Sequence, residues 1–457
     1  MMDDLSGRIA RHVITTSFAD LPSRVVDITK QSLLDAIGVT LAASRLGEAS
    51  AAFVGLAREA SSESGATVIG FGFKAAPAMA AFANGAMAHA LDYEDTFDAA
   101  LMHPNAAVVP AALAVAESLG TVSGRDLIAA IAIGSDLTCR LGAAIDGHER
   151  KGFSVRFLSG AMGATAAAAK LLGLNEEQLI QAWALLMFQA NFPTEAMTYA
   201  PSHMRAVREA FAAKGGVVAA RLAAQGVRAF DRPFEARYGF FGNFTDGEAD
   251  IARLTTGLGE VFEGAEVSFK PWPSCRGTHA YIDAALQLLN THHLRPDDVA
   301  AADTVVSPFF RALCEPPARK QRPQTAIDAK FSVPFTVATA LQTGRVDLDS
   351  FSPTAMQDPA ILGMAARVSH VIEESWPTTE ATRGDLRLRL KDGRAFSMSI
   401  KDPLGHPANP MSAQAMRAKF AECARHSSVA LPAGRADAIR DAVERLDTIN
   451  NVSGLLS

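Results

Sequence analysis

The chain has 457 residues, of which 49% are hydrophobic and 20% charged, and its formal net charge is −6. This balance excludes a disordered chain and a nucleic-acid-binding polycation, and the length calls for two or three domains. No uninterrupted apolar run reaches the ~18 residues of a membrane span, and the acidic start MMDDLSGRIARHVITTSF lacks a signal-peptide pattern. Four cysteines (Cys139, Cys275, Cys314 and Cys423) form no CxxC pair, which argues against a disulfide scaffold and a cysteine metal site. The expectation is a soluble cytoplasmic enzyme with neither nucleic-acid nor membrane partners.

Residues 1–262 read as helix after helix. Asp20-Leu21-Pro22 predicts a cap residue and an early helical proline ahead of Val25, Ile28, Leu33, Ala36, Ile37 and Leu41, spaced mostly three and four apart. Alanine-rich stretches follow, among them AAPAMAAFANGAMAHAL, PNAAVVPAALAVAESLG and GAMGATAAAAKLLGL. Alanine is the strongest helix former, and its small side chain lets helix axes approach closely. The glycines of VIGFGF match no phosphate-binding loop.

Near residue 265 the pattern changes. A rigid segment, SFKPWPSCRGTH, leads into a predicted helix over about 278–292, which Ser274 or Thr278 can cap, and ADTVVS (302–307) predicts a strand. FSVPFTVATAL predicts a helix with Pro334 in its first turn. Alternation in Leu386-Arg-Leu-Arg-Leu390, then Asp392-Gly393, then Phe396, Met398 and Ile400 predicts a β-hairpin. From Ser412 onward Met416 and Phe420 restore helical spacing. The fold class is therefore mainly α, with a large all-helical domain (1–264 together with 404–457) and a smaller α+β domain (265–403).

The densest polar cluster in the apolar half is His89-Ala-Leu-Asp92-Tyr-Glu94-Asp95-Thr96-Phe-Asp98, followed by His103-Pro104. If the helix there runs to about residue 96, His89, Asp92 and Thr96 share one face. A solvated acidic loop with His103 on the surface is the plain reading. Two functional readings compete with it. One is a divalent cation held by His and carboxylates, which lacks a second cluster of similar density. The other is general acid–base catalysis, with a carboxylate and an imidazole moving a proton beside a substrate carboxylate. Such chemistry needs cations, for which Arg205, Arg208, Lys270 and Arg276 are candidates. Cys275 reads as structural rather than nucleophilic.

These segments resemble the MmgE/PrpD family, through LLDAIGVTLAAS, NGAMAHALDYEDT, HPNAAVVPAALAVAE, GAMGATAAAAKLLGLNEEQ, KPWPSCRGTH, AKFSVPFTVATAL and GHPANPMS. Its members include 2-methylcitrate dehydratase, cis-aconitate decarboxylase and iminodisuccinate epimerase. The resemblance implies a helical domain made from both chain ends, a smaller α+β domain, a homodimer, and a site at the domain boundary without metal or cofactor. It places the family's active-site aspartate, threonine and histidine on Asp92, Thr96 and His103, its lysine on Lys270, and the end of that motif on His279. The gap from threonine to histidine is about one residue longer than in the decarboxylase branch.

Three departures stand out. Ser154 occupies a position where members commonly have histidine, and Arg205 and Arg208 replace the lysine and histidine of a Lys-x-x-His-x-Gly pattern. Arginine keeps a positive charge but does not readily release a proton. The resemblance thus implies a cofactor-independent lyase, a hydro-lyase first, acting on a small di- or tricarboxylate. Catalysis would fall to Asp92, Thr96, His103 and Lys270, and substrate binding to Arg205, Arg208, Ser154, Cys275 and His279. Epimerisation, decarboxylation, or a non-catalytic carboxylate-binding relative are the alternatives.

Overall fold

Helices made largely of alanine can approach closely, and the first of the chain's two compact units rests on that property. The computed structural model describes residues 4–189, 191–198 and 202–456. Unit 1 is Met1–Val267 with Ser412–Ser457, and unit 2 is Ser268–Met411.

At the centre of unit 1 the helix Val155–Leu171 packs against Pro104–Leu119, Gly124–Ala144 and Glu209–Ala224, and the last of these also packs against Pro77–His89. Gly163 marks one crossing. A Cβ there would lie 2.3 Å from the Gly134 carbonyl oxygen and 2.0 Å from the Thr138 hydroxyl, so any side chain would force the helices apart. Gly124–Ala144 is long and apolar enough to cross a membrane, yet its apolar stretch is buried within the fold. The helix Ala413–Arg425 returns to pack on Ser23–Leu46, where Phe420 lies over Gly38.

Unit 1 departs from the all-helical expectation. Strands β1 (Ser61–Val68) and β2 (Phe73–Ala75) form an antiparallel hairpin in which Val68 pairs with Phe73. The glycines of VIGFGF make its turn, with Gly70 at φ +81° and Gly72 at φ +66°. A two-stranded hairpin is marginal alone. Here helix side chains serve its backbone: the Glu117 carboxylate accepts from the Thr67 amide, and Asn84 both accepts from the Ile69 amide and donates to the Thr67 carbonyl. The start of Ser23–Leu46 also differs from expectation. Pro22 holds the N-cap position, while Asp20 accepts from the amide and hydroxyl of Ser17 and closes the preceding 3₁₀ turn.

Unit 2 holds a four-stranded sheet in the order β4-β3-β5-β6. Strands β3 (Val299–Val306) and β4 (Val368–Ile372) are parallel, whereas β5 (Gly384–Leu390) is antiparallel to both β3 and β6 (Ala395–Ile400). Leu386 and Leu388 are buried and face Met398 and Phe396 across the hairpin, and Gly393 turns it at φ +88°. The helices His279–His292 and Val333–Thr343 pack on each other, and the first covers β5 and β6. Ser332 caps the second through the Phe335 amide, with Pro334 in its first turn.

Neither expected cap of His279–His292 forms. Thr278 stands at the N-cap position in helical conformation, so its hydroxyl donates to the Cys275 carbonyl and meets the Ser274 hydroxyl. A capping side chain needs extended backbone at that point. The 3₁₀ turn Arg276–Thr278 runs straight into the helix instead.

Candidate active site

The helix carrying the polar cluster ends earlier than its spacing suggests. Pro77–His89 stops at His89, and Asp92 takes a left-handed conformation at φ +52°. His89, Asp92 and Thr96 therefore do not share a helical face. Aspartate tolerates this conformation better than most residues, though at some cost in strain. The loop that follows is not solvated, because Asp92, Glu94, Asp95 and Thr96 are all at most 4% exposed. Immersing four polar side chains in an alanine-rich core costs free energy unless their groups are paired.

The pairing comes from local geometry. Phe97 and Met102 form a backbone bridge, with Phe97 N donating to Met102 O at 2.7 Å, and so close a tight loop over residues 98–101. The loop brings Thr96 beside His103, with 3.3 Å from the hydroxyl to Nδ1. His103 Nδ1 also lies 2.9 Å from the Asp95 carbonyl and 3.1 Å from Glu94 Oε1. A carbonyl only accepts, so Nδ1 carries the proton, and the neutral ring keeps its basic lone pair on Nε2. His89 Nδ1 approaches the same Glu94 oxygen at 2.5 Å, and the two rings lie 5.0 Å apart. Asp95 accepts from the Asn105 amide at 2.6 Å, and Asn105 in turn accepts from Ser135. Lys419, from the returning C-terminal helix, donates to the Tyr93 carbonyl at 2.7 Å and pairs with buried Asp35 at 2.6 Å.

Beyond this loop, Arg208 is buried with its guanidinium 3.5 Å over the Phe157 ring. Its Nε stands 3.3 Å from Glu209, and Nη1 donates to the Arg205 carbonyl. Burial lowers the Arg208 pKa to about 10, against the opposing pull of Glu209, with Arg205, Glu94 and Asp92 also in electrostatic reach. It therefore stays charged at neutral pH, though it falls below the usual arginine range. Burial raises Glu209 to about 7, opposed by Arg208 and reinforced by Glu94. Asp95 is likewise raised to about 7, first by burial, with the Asn105 hydrogen bond opposing and Asp35 and Glu94 adding. Carboxyls raised this far can hold or release protons near neutrality.

Of the residues singled out from sequence, Thr96 and His103 touch, and Asp92 lies within electrostatic reach of Arg208. Ser154 and Arg208 line one cavity of about 140 Å³. Arg205 is half-buried and is not among that cavity's lining residues. Lys270, Cys275 and His279 belong to unit 2 and are all buried. There His279 Nε2 meets the Ser274 carbonyl at 3.2 Å and its ring packs on Trp272, while the Cys275 amide donates to Lys330 O. Sequence reasoning gave no role to Glu94, Glu209 or Lys419. Glu94 lay within the noticed cluster and Glu209 next to Arg208, but only the fold aims them.

His89, Glu94 and His103 also offer three ligand atoms within 4.8 Å of one another, a grouping that could hold a metal ion. As they stand, both Nδ1 atoms address one carboxylate oxygen as hydrogen-bond donors, and a cation between them would have to replace those bonds.

Two family models match the chain. That of the MmgE/PrpD N-terminal domain covers residues 7–252, and that of the MmgE/PrpD C-terminal domain covers residues 272–448. Among characterised relatives, the chain is 27% identical to the cis-aconitate decarboxylase-like protein oryM of Aspergillus oryzae, over 96% of this chain and 94% of that protein. It is 26% identical to cis-aconitate decarboxylase of Homo sapiens, over 92% and 88% of the two chains. The cis-aconitate decarboxylase of Aspergillus terreus is also 26% identical, over 96% and 92%.

Proposed function

Because the chain belongs to the MmgE/PrpD family, we propose that it is a lyase moving a proton at the carbon beside a carboxylate of a small di- or tricarboxylic acid. One observation carries this reading: the partly buried imidazole of His103 has Nδ1 held by Glu94 and the Asp95 carbonyl, which places its basic lone pair on Nε2. Glu94 stabilises the imidazolium that forms, as a carboxylate behind a catalytic histidine does. Arg208 holds a substrate carboxylate. Thr96 orients the substrate or Asp92, and Asp92 assists the departing group.

Dehydration is the first assignment. His103 takes the carbon-bound proton, the C–O bond breaks, and the hydroxyl leaves as water with a proton supplied by the site. Decarboxylation is the second, favoured by the names of the relatives. In that case the C–C bond breaks, CO₂ leaves, and the carbanion takes a proton that His103 relays from solvent.

The test is a panel of citrate-, aconitate- and aspartate-derived acids followed by proton NMR in deuterated water. New or consumed alkene signals indicate dehydration, and loss of CO₂ indicates decarboxylation. Solvent exchange without net conversion indicates epimerisation. His103→Ala and Asp92→Asn should each lower turnover by a factor of about 10² or more while the circular dichroism spectrum is retained. Full activity in both variants would overturn these roles. Binding without exchange for every acid would overturn the lyase reading, and activity lost to a chelator and restored by a divalent ion would replace the imidazole base with a metal site.

A further inference from the structure

Resting on the lyase reading, we infer that Arg156 is a positioning residue for His103: it clamps the strained loop over residues 98–101 that sets the imidazole beside Thr96 and Glu94. The loop fills the interval between the bridge partners Phe97 and Met102, and the chain leaves it directly into His103, at the N-cap position of Pro104–Leu119. Its closure carries strain, because Leu101 sits at φ +50°, where leucine is disfavoured. A residue in that conformation persists only where its surroundings hold it there.

Two anchors do so. Met102 fills a notch over Gly142, where a Cβ would lie 2.0 Å from the thioether sulfur. Within the loop itself, Arg156 Nη1 donates to the Ala100 carbonyl at 2.8 Å. The other two guanidinium nitrogens are engaged by a second loop: Nη2 donates to Asp146 at 2.6 Å and Nε to Glu149 at 2.5 Å. Glu149 in turn accepts from the Gly147 amide at 2.9 Å. A guanidinium is a rigid planar fork, so two carboxylates that hold two of its nitrogens also aim the third. Ala100 is 1% exposed, and removing Nη1 leaves its carbonyl buried without that donor. Hydrating the carbonyl requires the loop to open, the same movement that relaxes Leu101. His103 then loses the fixed approach to Glu94 and the Asp95 carbonyl that keeps its proton on Nδ1.

The experiment compares Arg156→Ala with the wild type, as full chains, in two readouts. On an acid that turns over, kcat should fall by a factor of about 10–10², the effect of misplacing a catalytic group by about 1 Å, while KM stays within about twofold because Arg208 still holds the carboxylate. Nitrogen NMR of histidine-labelled protein, with the His103 signal assigned by its loss in His103→Ala, should show one tautomer in the wild type and an average of two in the variant. Millimolar methylguanidinium should refill the space and reverse both changes without affecting the wild type. Arg156→Lys keeps a charge between the carboxylates but not the fork, should give intermediate values, and carries the test if the alanine variant fails to fold. An unchanged tautomer, a rise in KM with kcat retained, or losses that methylguanidinium does not reverse overturn the clamp. The two readings fail separately. An averaged tautomer in a chain that turns over none of the acids sinks the lyase and leaves the clamp standing, whereas equal turnover by both proteins with one shared tautomer does the reverse.

Discussion

Replacing Asp95 with asparagine tests whether the polar loop is as isolated from water as its burial indicates. Asp95 is 2% exposed, and its pKa moves from 3.8 to about 7, mainly because burial penalises the charged form. A pKa raised on folding favours the folded state most at low pH. That contribution is complete below about 3.8 and is lost as pH rises through about 7. With 1.36 kcal/mol per pH unit, the loss reaches ~2 kcal/mol at pH 5.5 and ~4 kcal/mol at pH 8. Asparagine can still accept from Asn105 but carries no charge. The variant should therefore gain about 2 kcal/mol on the wild type between pH 5.5 and pH 8. For a unit of about 310 residues this corresponds to ~3 °C in melting temperature. Differential scanning calorimetry of both proteins across that range measures it, and pH effects from other groups cancel in the difference. Parallel melting curves, with a constant offset at every pH, would refute the reasoning.

Glu209→Gln addresses the neighbouring carboxyl. In the wild type, ionisation above about pH 7 sets Glu209 against the substrate for Arg208, so KM for an acid fully ionised throughout should rise several-fold between pH 6 and pH 8. In the glutamine variant KM should stay flat, and steady-state kinetics that retain the rise would sink the idea. Lys419→Met leaves buried Asp35 without its 2.6 Å cation and the Tyr93 carbonyl without its donor. Chemical denaturation should show a loss of about 3–5 kcal/mol, the cost of breaking a buried pair from one side. Gly163→Ala sets a methyl against the Gly134 carbonyl and should cost about 1–3 kcal/mol, read as a lower melting temperature with the helical signal intact.

Strict patterns in the sequence translate directly into structure. The alternation through Leu386, Leu388 and Leu390 around Asp392-Gly393 forms the β5–β6 hairpin, and the Ala413–Arg425 helix follows the spacing of Met416 and Phe420. The β1–β2 hairpin was not legible, because SSESGATV lacks alternation and its backbone is satisfied by Glu117 and Asn84 from distant helices. The polar loop stood out by composition alone, whereas its burial did not. Extending the helix to residue 96 failed because Asp92 leaves the helical region, a break that neither glycine nor proline announces. Nothing in the spacing of Thr96 and His103 shows that Phe97 and Met102 pair and close the interval between them.

Arg205 and Arg208, which stand where the resemblance implies a lysine and a histidine, would redistribute the work of the proposed site. Even when burial lowers it to about 10, Arg208 keeps its proton at neutral pH, so it can hold an anion but supplies little acid. Proton transfer then falls on other groups of the proposed site. His103 has its tautomer fixed by its neighbours, and Asp95 and Glu209 are both raised to about 7. Glu94 acts electrostatically on both Asp95 and Glu209, and Arg208 is a buried cation within reach of Glu209, Glu94 and Asp92, so full ionisation of these carboxyls would repel an anionic substrate. Partial protonation relieves that repulsion and leaves acids available beside the imidazole. In the proposed site the acidic loop and Arg208 would form one electrostatic unit: the first would hold exchangeable protons because it is buried, and the second would attract the carboxylate that uses them.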